Sequence, residues 1–400
     1  MNPNIARLQP YPFQELAALL KGVVPEPGFE PIRLSIGEPK HPTPQFIKDA
    51  VTAALDGLAS YPLTIGGEDL RAAIAEWASV RYSLPPLDPA TQVLPVLGSR
   101  EALFAFAQLV IDSGAKAPAV VMPNPFYQIY EGATLLAGAT PHFINATADN
   151  RFGFSPQQLP VAVWKRTQLV YVCSPGNPSG RVLSLDEWKE LFDYSDRYGF
   201  VIASDECYSE IYFDDADRPI GALEAAHRLG RTGYERLVVF SSLSKRSNVP
   251  GMRSGFVAGD AAILAKFLHY RTYHGSAMSL AVQAASAAAW RDEAHVAENR
   301  RLYCEKFAKV VPLLSEVTEV EMPDAGFYLW LRTPVADTEF AKRLVQLYNV
   351  TVLPGSYLGR EAHGVNPGAN RVRIALVSPV AECMEAAGRL RDFFEELGKG

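Results

Sequence analysis

The sequence predicts an α/β fold with a mostly parallel central sheet flanked by helices, together with a smaller α+β domain. Between about Tyr61 and Gly259, short apolar runs alternate with longer amphipathic runs. The short runs are β-branched almost throughout, which is typical of strands that helices cover on both faces. After about Met278 the alternation stops, and a long helical region is followed by a few separated strand-like runs.

The elements of the alternating region follow one another in chain order. Leu70–Tyr82 has helical apolar spacing, and the strand-like Thr91–Leu97 leads through Gly98 into another helix-like run. The polar start and glycine stop of Ser184–Gly199 indicate a further helix. The remaining strand-like runs are AVVM (Ala119–Met122), QLVYVC (Gln168–Cys173), FVIAS (Phe200–Ser204) and RLVVF (Arg236–Phe240). Strands that alternate with helices in this way predict a parallel sheet.

The C-terminal region has a different pattern, which predicts a second domain. A helical region, Ser279–Leu314, precedes the strand-like Phe327–Arg332, the helix-like Thr338–Tyr348 and the strand-like Arg371–Val377. An amphipathic helix closes the chain. We therefore predict a large domain over residues 46–284. The small domain combines residues 1–45 with residues 285–400.

Composition and charge exclude several classes of protein. A chain of 400 residues is longer than a single hydrophobic core usually accommodates, so two domains are expected. Its composition, with 20% charged and 48% apolar residues, suits a globular enzyme. The net charge of −6 disfavours a nucleic-acid partner. No run approaches the roughly 18 apolar residues of a membrane span, and the N-terminus lacks a signal-peptide pattern. The four cysteines are far apart, so we expect no metal site, no disulfide and a cytoplasmic location.

The chemically informative residues follow the ends of the predicted strands, where ligands gather in open α/β sheets. Gly98–Glu101 opens a helix whose free backbone N–H groups suit a phosphate. Tyr127 follows the next strand, where it either packs in the core or stacks on a flat ligand. Asn177 lies in the Pro/Gly-rich loop SPGNPSG. Asp205 directly follows VIAS, where an acid is costly unless it is solvated or paired with a cation.

Lys245 lies in the polar run SSLSKRSNVPGMRSG (Ser241–Gly255), at the end of another predicted strand. Taken alone, the run predicts a loop with a solvated lysine. Together with the preceding groups it meets the needs of pyridoxal 5′-phosphate (PLP), which requires a lysine for covalent attachment and an acid opposite its pyridinium nitrogen. Burial and neighbouring cations such as Arg253 would lower the lysine pKa and favour the neutral amine.

These residues belong to an ordered set of motifs that resembles the fold-type I aminotransferases of class I and II, the aspartate aminotransferase superfamily. The motifs are SPGNPSG, DECY 28 residues after Asn177, SLSK, and an eight-residue spacing from Lys245 to Arg253. The resemblance extends from LSIGEP (Leu34–Pro39) to RVRIALV. It implies the fold of PLP-dependent transferases of type I, amino-acid and 2-oxo-acid substrates, and a homodimer with shared active sites.

The resemblance also implies a role for each matching residue around the cofactor ring. Lys245 would carry the aldimine and later move a proton between substrate and cofactor carbons. Asp205 would keep the pyridinium nitrogen protonated. Asn177 and Tyr208 would hydrogen-bond the 3′-oxygen of the ring, and Tyr127 would stack on its face.

At the phosphate, the same resemblance implies the backbone of Ser99 and Arg100 together with the side chains of Ser242 and Arg253. Tyr61 matches a tyrosine that reaches the phosphate in the partner subunit's site. No metal ligand is implied.

The substrate α-carboxylate would be received by Gly37, Asn177 and Arg373, since a guanidinium offers a planar bidentate fork. Arg371 lies two residues earlier, on the same face of a strand, and could assist. Arg373 is preferred because it directly precedes the Ile-Ala-Leu run, as the arginine of the family usually does.

For the substrate, SLSKRSNVPGMRSGFVAGD, LSIGEPKHPTP and YPLTIGGEDLR look like the proteobacterial succinyldiaminopimelate aminotransferases of lysine biosynthesis. That likeness implies N-succinyl-L,L-diaminopimelate as amino donor, with glutamate and 2-oxoglutarate as the other pair. Lys40, Arg246 and the segment Arg271–Ser279 are candidates for binding the distal carboxylates.

Other functions remain open at this point. The main alternative is an aspartate, aromatic or broad-specificity aminotransferase, and a PLP-dependent carbon–sulfur lyase is a lesser one. A non-catalytic binding module is disfavoured because this sequence has a matching residue at every position that is expected to contact the cofactor. A transcription factor is disfavoured because the roughly 30 residues before LSIGEP hold no helix-turn-helix pattern.

Overall fold

The computed structural model describes residues 1–398, which contain a large seven-stranded sheet and two smaller sheets. The strands within these residues are β1 (Ile32–Arg33), β2 (Val93–Val96), β3 (Ala119–Asn124), β4 (Thr140–Asn145), β5 (Thr167–Cys173), β6 (Val201–Asp205), β7 (Leu237–Ser242), β8 (Gly255–Gly259), β9 (Tyr328–Arg332), β10 (Val350–Thr351), β11 (Leu353–Pro354) and β12 (Arg371–Ala375). The large sheet has the order β2-β8-β7-β6-β5-β3-β4. Its neighbouring strands are parallel except for β8, which runs antiparallel to β2 and β7.

Helices follow most of these strands. Within the same residues the α-helices are α1 (Pro12–Leu19), α2 (Gln45–Ala53), α3 (Glu68–Arg81), α4 (Ser99–Val110), α5 (Gln128–Leu136), α6 (Val161–Trp164), α7 (Leu185–Tyr198), α8 (Ala222–Arg228), α9 (Leu243–Arg246), α10 (Ala261–His274), α11 (Leu280–Arg291), α12 (Ala294–Ser315), α13 (Asp337–Tyr348) and α14 (Val380–Gly398). The predicted α/β class with a mostly parallel sheet is confirmed.

The apolar strands form because each of their faces is covered by helices. Neighbouring residues of one strand enter opposite core clusters: Val120, Leu169 and Ala203 pack on one face of the sheet, and Val121 and Val170 pack on the other. Burying one such valine or leucine side chain contributes about 1.5–3 kcal/mol. The near-continuous apolar runs that predicted these strands are therefore a consequence of two-sided burial.

Two strands of the sheet lack that signal and were not predicted. β4 begins TPHF, with a proline and partly exposed side chains, and β8 is the five-residue run GFVAG. The glycines of β8 are required by packing, because a Cβ on Gly255 would overlap the carbonyl oxygen of Ser241. The long helical region predicted over Ser279–Leu314 consists of two helices, which Asp292 and Glu293 separate.

The polar run around Lys245 is also more regular than a loop. Lys245 lies in the one-turn helix α9, which begins after Ser242, whose side-chain oxygen accepts the backbone N–H of Ser244 at 3.0 Å. This short helix fixes the backbone of the lysine directly beyond strand β7.

The N-terminal segment packs with the C-terminal part of the chain. β1 pairs in parallel with β10, and Ile32 and Leu34 share a core cluster with residues of β9, β12 and α14. β11, β12 and β9 form an antiparallel sheet in this region. The division into domains of residues 46–284 and the remainder stays a prediction that agrees with this packing. Within residues 1–398, no helix is both long and apolar enough to span a bilayer.

Candidate active site

The carboxyl ends of β2, β3, β5, β6 and β7 meet at one edge of the large sheet and open into a cavity of about 390 Å³. This volume lies in the range of small-molecule sites. Parallel strands place their ends side by side, so residues far apart in sequence converge here. The cavity is lined by every predicted site residue except Tyr61, namely Gly37, Ser99, Arg100, Tyr127, Asn177, Asp205, Tyr208, Ser242, Lys245, Arg253 and Arg373.

The Lys245 amine points into this cavity from α9. It donates a hydrogen bond to the carbonyl oxygen of Gly37, and its Nζ lies 5.5 Å from the centre of the Phe327 ring. Burial, the largest cause, together with the nearby cations Arg373 and Arg253 lowers the pKa of Lys245 to about 8, against the opposing effects of Cys207 and Glu38. A larger fraction of the amine is therefore neutral, and nucleophilic, near neutral pH than for an ordinary lysine.

This pKa leads to a prediction about the cofactor-free protein. Only the neutral amine attacks an aldehyde, so the rate at which the protein takes up PLP should rise with pH and level off above about pH 8. Stopped-flow absorbance at a series of pH values measures this rate. An inflection near 10.4, the value of an unperturbed lysine, would contradict the prediction.

Asp205 ends β6 as a buried carboxylate with neutral partners. Its Oδ2 accepts the Tyr130 hydroxyl at 2.7 Å, and its Oδ1 accepts the backbone N–H of Cys207 at 3.3 Å. Burial raises the pKa of Asp205, although these hydrogen bonds and Lys245 oppose that shift. A buried acid in this state is stabilised by a cation placed against it, such as a protonated ring nitrogen.

Tyr130 was not predicted from the sequence. It lies in the first turn of α5, is fully buried, and stacks on Tyr171 at 4.6 Å between ring centres. Nothing in its local sequence distinguishes it from a core aromatic, because its partner Asp205 is 75 residues away.

The Arg373 side chain lies at the opposite wall of the cavity. It donates to Asn177 Oδ1 at 2.9 Å and to the carbonyl oxygen of Ser35 at 2.8 Å, while its buried Nε has no hydrogen-bond partner among residues 1–398. Arg371 does not line the cavity; it donates to the carbonyl oxygen of Trp330 at 3.2 Å. The structure therefore favours Arg373 over Arg371 as the carboxylate-binding group.

Tyr328 is a second residue that sequence reasoning missed. Its hydroxyl lies 3.1 Å from the Tyr208 hydroxyl, and the Arg373 guanidinium stacks 4.4 Å from the centre of its ring. Burial raises the pKa of Tyr208 well above its ordinary value, so its phenol stays protonated and able to donate. Tyr328 thus orients both a hydrogen-bond donor and a cation of the site.

Gly37 is required by the close approach of Tyr328. A Cβ at position 37 would overlap the Tyr328 hydroxyl and lie 2.7 Å from its Cζ. We expect Gly37→Ala to displace this wall and lower kcat/KM by about 100-fold, the effect of a misplacement of about 1 Å. Steady-state kinetics measure the loss.

Gly388→Ala is the matched control, because a Cβ at this position in α14 meets no atom within 4 Å. It should leave kcat/KM unchanged, since alanine suits a helix interior better than glycine. Equal kinetics for Gly37→Ala and the wild type would show that the wall adapts and that the prediction is wrong.

The start of α4 forms one end of the cavity, where free backbone N–H groups would suit an anion. Gly98 precedes this helix with φ of +81°, and a Cβ there would overlap the Arg253 guanidinium. The free backbone N–H groups at Ser99 and Arg100, with the Arg253 cation, form a cradle for a phosphate. Ser242 lines the cavity here, and its hydroxyl is hydrogen-bonded to the carbonyl oxygen of Ser254 at 3.0 Å.

Three of the residues considered for the distal part of a substrate do not reach the cavity of their own chain. Arg246 is buried between Trp77 and Trp290 and pairs with Glu293. Arg271 is completely buried and binds Glu101 at 2.9 Å, and Lys40 is exposed and pairs with Glu38. The prediction is therefore wrong for Arg246 and Arg271, whose buried guanidinium groups are paired with Glu293 and Glu101 inside the fold.

Comparison with known proteins agrees with this geometry. Residues 30–390 match the family described as aminotransferase class I and II. The LL-diaminopimelate aminotransferase of Aquifex aeolicus is 30% identical over 391 residues, covering 96% of this chain and 97% of that protein. The crystal structure of an aminotransferase from Neisseria meningitidis superposes with a TM-score of 0.96 at 55% identity, covering 98% of this chain and 100% of that one.

A third similar protein is the "probable N-succinyldiaminopimelate aminotransferase" of Thermus thermophilus. Its TM-score is 0.84 at 27% identity, with 95% of this chain and 99% of that chain covered. The chain belongs to the class I and II aminotransferases, whose members depend on PLP. It is therefore a PLP-dependent aminotransferase of the type I fold, as the motifs predicted.

The residues present fit this cofactor. Asp205 is buried and forms no salt bridge within residues 1–398, and the start of α4 suits a phosphate. The Lys245 amine lines the same cavity with a lowered pKa. When bound, PLP supplies an aldehyde carbon and an electron-accepting ring.

Proposed function

We propose that this aminotransferase moves an amino group between N-succinyl-L,L-diaminopimelate and 2-oxoglutarate, in a ping-pong reaction of lysine biosynthesis. The charge of the cavity wall supports the proposal. Arg100, Lys245, Arg253 and Arg373 line the cavity, and Asp205 is the only carboxylate side chain lining it in the part of the chain that the structure describes.

This excess of cations favours an anionic substrate. Arg253 is assigned to the phosphate and Arg373 to the α-carboxylate. Arg100 is then left at the rim, exposed, with its guanidinium 5.6 Å from the Tyr11 ring. N-succinyl-L,L-diaminopimelate carries three carboxylates and one ammonium, so it has a distal carboxylate for such a cation. 2-Oxoglutarate also offers two carboxylates.

A second candidate donor is unsubstituted L,L-diaminopimelate, because the Aquifex aeolicus relative carries the name of that activity. This compound has two ammonium groups and no net charge. Its distal ammonium would approach a wall that offers no second carboxylate among residues 1–398. The electrostatics therefore favour the succinylated donor, as does the name of the Thermus thermophilus protein.

Within the proposed reaction, the chain's own residues bind, orient and move protons. The Lys245 amine takes the proton that leaves the substrate Cα and carries it to the acceptor carbon, for which a pKa of about 8 is well matched. Arg373 and Gly37 orient the substrate carboxylate. Asn177 and the Tyr208 hydroxyl are the donors assigned to the ring oxygen, and Tyr127 covers the ring face.

A panel of amino donors with 2-oxoglutarate tests the substrate. We expect N-succinyl-L,L-diaminopimelate to have a kcat/KM at least about 10-fold above L,L-diaminopimelate, aspartate and the aromatic amino acids, a difference of about 1.4 kcal/mol. Faster turnover of any of these would replace the proposed donor with that one. Release of pyruvate from cystathionine without a 2-oxo acid would indicate a lyase.

We further propose that the chain acts as a homodimer with Tyr61 serving the partner's site. Tyr61 is fully exposed within its own chain. Three nearby leucines are 46–70% exposed, namely Leu55, Leu58 and Leu63. An exposed apolar cluster of this kind is typical of a protein–protein interface. The variants Tyr61→Ala and Lys245→Ala, each of which we expect to lose activity as a homodimer, test whether the sites are shared. Mixed under subunit exchange, they should recover part of the activity, since a hybrid dimer holds one intact site. No recovery would contradict sharing.

A further inference from the structure

A row of three polar side chains, two buried and one partly buried, is hydrogen-bonded to the backbone carbonyls of Lys245 and Arg246. It consists of Lys306, His41 and Asn299, of which Lys306 and Asn299 are 1% and 3% exposed. None of the three lines the active-site cavity, and none has a role in the function proposed above. Buried polar groups of this kind are retained only where their hydrogen bonds are made.

Asn299 is the centre of this row, and all four of its hydrogen-bonding positions are used. Its Nδ2 donates to the carbonyl oxygens of Lys245 at 3.1 Å and Arg246 at 3.3 Å. Its Oδ1 accepts from Asn248 Nδ2 at 3.0 Å and lies 2.7 Å from His41 Nδ1. If the Asn299 amide were flipped, its Oδ1 would lie against the carbonyl oxygens of Lys245 and Arg246, and no hydrogen bond could form there. These contacts therefore fix the orientation of the amide.

The orientation of Asn299 in turn fixes the protonation of His41. Because Oδ1 of Asn299 can only accept, His41 Nδ1 carries the proton and donates it. His41 Nε2 is then free to accept from Lys306 Nζ, which lies 2.7 Å away and also donates to the carbonyl oxygen of Val377 at 3.2 Å. The row is therefore a directed chain of donors from Lys306 to the backbone of Lys245.

The charges around the row favour this state. Burial lowers the pKa of His41, and Lys306 lowers it further, against the effects of Asn299 and Glu298. Burial likewise lowers the pKa of Lys306 to about 8. The other facing groups are the Tyr303 ring, 4.7 Å from the His41 ring centre, and the Cys383 thiol on α14. A protonated His41 would oppose the Lys306 ammonium, so the imidazole stays neutral.

We propose that Asn299, held by His41 and Lys306, is a positioning residue for the catalytic lysine. α9 has only four residues, too few to hold its own geometry, and Asn299 binds two of its terminal carbonyls. Through His41 the same row fixes the segment that carries Gly37, and through Val377 it fixes the chain directly after β12, which carries Arg373. This row of hydrogen bonds thus sets the position of the Lys245 amine relative to Gly37 and Arg373, which are proposed to bind the substrate carboxylate.

The inference rests on the proposed role of Lys245. The first experiment measures the pKa of Lys245 in the cofactor-free protein. Asn299→Leu, His41→Phe and Lys306→Met each remove a link while keeping a similar volume. Labelling of Lys245 by an amine reagent, followed by mass spectrometry across pH, reports its pKa. The wild type should inflect near pH 8. Asn299→Leu should move the inflection upward towards about 10.4 because a released α9 exposes the amine to water.

In the PLP-loaded enzyme, Asn299→Leu should lower kcat by about 10- to 100-fold with a smaller change in KM. His41→Phe should cause part of this loss. The double variant His41→Phe/Asn299→Leu should be no worse than Asn299→Leu alone, because residues that act as a unit are not additive.

Asn145→Leu is the matched control, since Asn145 is also buried and hydrogen-bonded, to Asn124 and to the carbonyl oxygen of Ala362. It should lower stability without moving the Lys245 inflection. If Asn299→Leu behaves like this control in labelling and kcat, the row is structural and the inference fails. If instead Lys245→Ala retains full activity, the proposed function itself fails, which is a separate outcome.

Discussion

Lys245→Ala is expected to abolish transamination and the near-visible absorbance of the bound cofactor. The variant removes the only lysine amine in the cavity, among residues 1–398, and with it both the covalent attachment and the proton carrier. General acid–base transfer alone contributes about 10²–10⁴-fold, so the combined loss should exceed that range. Absorbance spectra and a coupled assay with 2-oxoglutarate measure the two effects.

Lys189→Ala is the control for this variant, because Lys189 lies exposed on α7 and forms a salt bridge with the neighbouring Asp193. Its spectrum and turnover should equal those of the wild type. Retained transamination in Lys245→Ala would overturn the assignment of Lys245, and with it the proposed mechanism.

Asp205→Asn is the second change with a large expected effect. The substitution keeps the shape of the side chain and removes the negative charge that would face the ring nitrogen. Removing one partner of a buried ion pair costs about 3–5 kcal/mol, which corresponds to about 10²–10⁴-fold in kcat. Cofactor affinity should fall as well, and equilibrium dialysis measures it.

Tyr130→Phe separates charge from orientation at the same carboxylate. It removes the 2.7 Å hydrogen bond but leaves Asp205 ionisable, so its effect should be about 10- to 100-fold at most, the contribution of one hydrogen bond to a charged group. A loss in Tyr130→Phe equal to that in Asp205→Asn would mean that the position of the carboxylate, and not its charge, matters to the reaction.

The sequence predicted most of the large sheet because two-sided burial leaves a local signal. Runs such as QLVYVC are apolar at nearly every position, and helix α7 carries both its Ser184 cap and its Gly199 stop. β4 and β8 were not predicted because they lack a continuous apolar run. β4 contains a proline and partly exposed side chains, and β8 contains two glycines. Helix α9 escaped because tertiary contacts stabilise its single turn, and its own composition does not.

The sequence by itself determined the class of the protein, the cofactor and the list of candidate site residues, because Asn177, Asp205, Lys245 and Arg253 lie in contiguous motifs at strand ends. The tertiary structure alone decided which distant residues support them. Tyr130, Tyr328 and Asn299 act across separations of 75, 120 and 54 residues. It also assigned Arg246 and Arg271 to the core. Burial and pairing depend on the folded chain, and no local pattern of residue types encodes them.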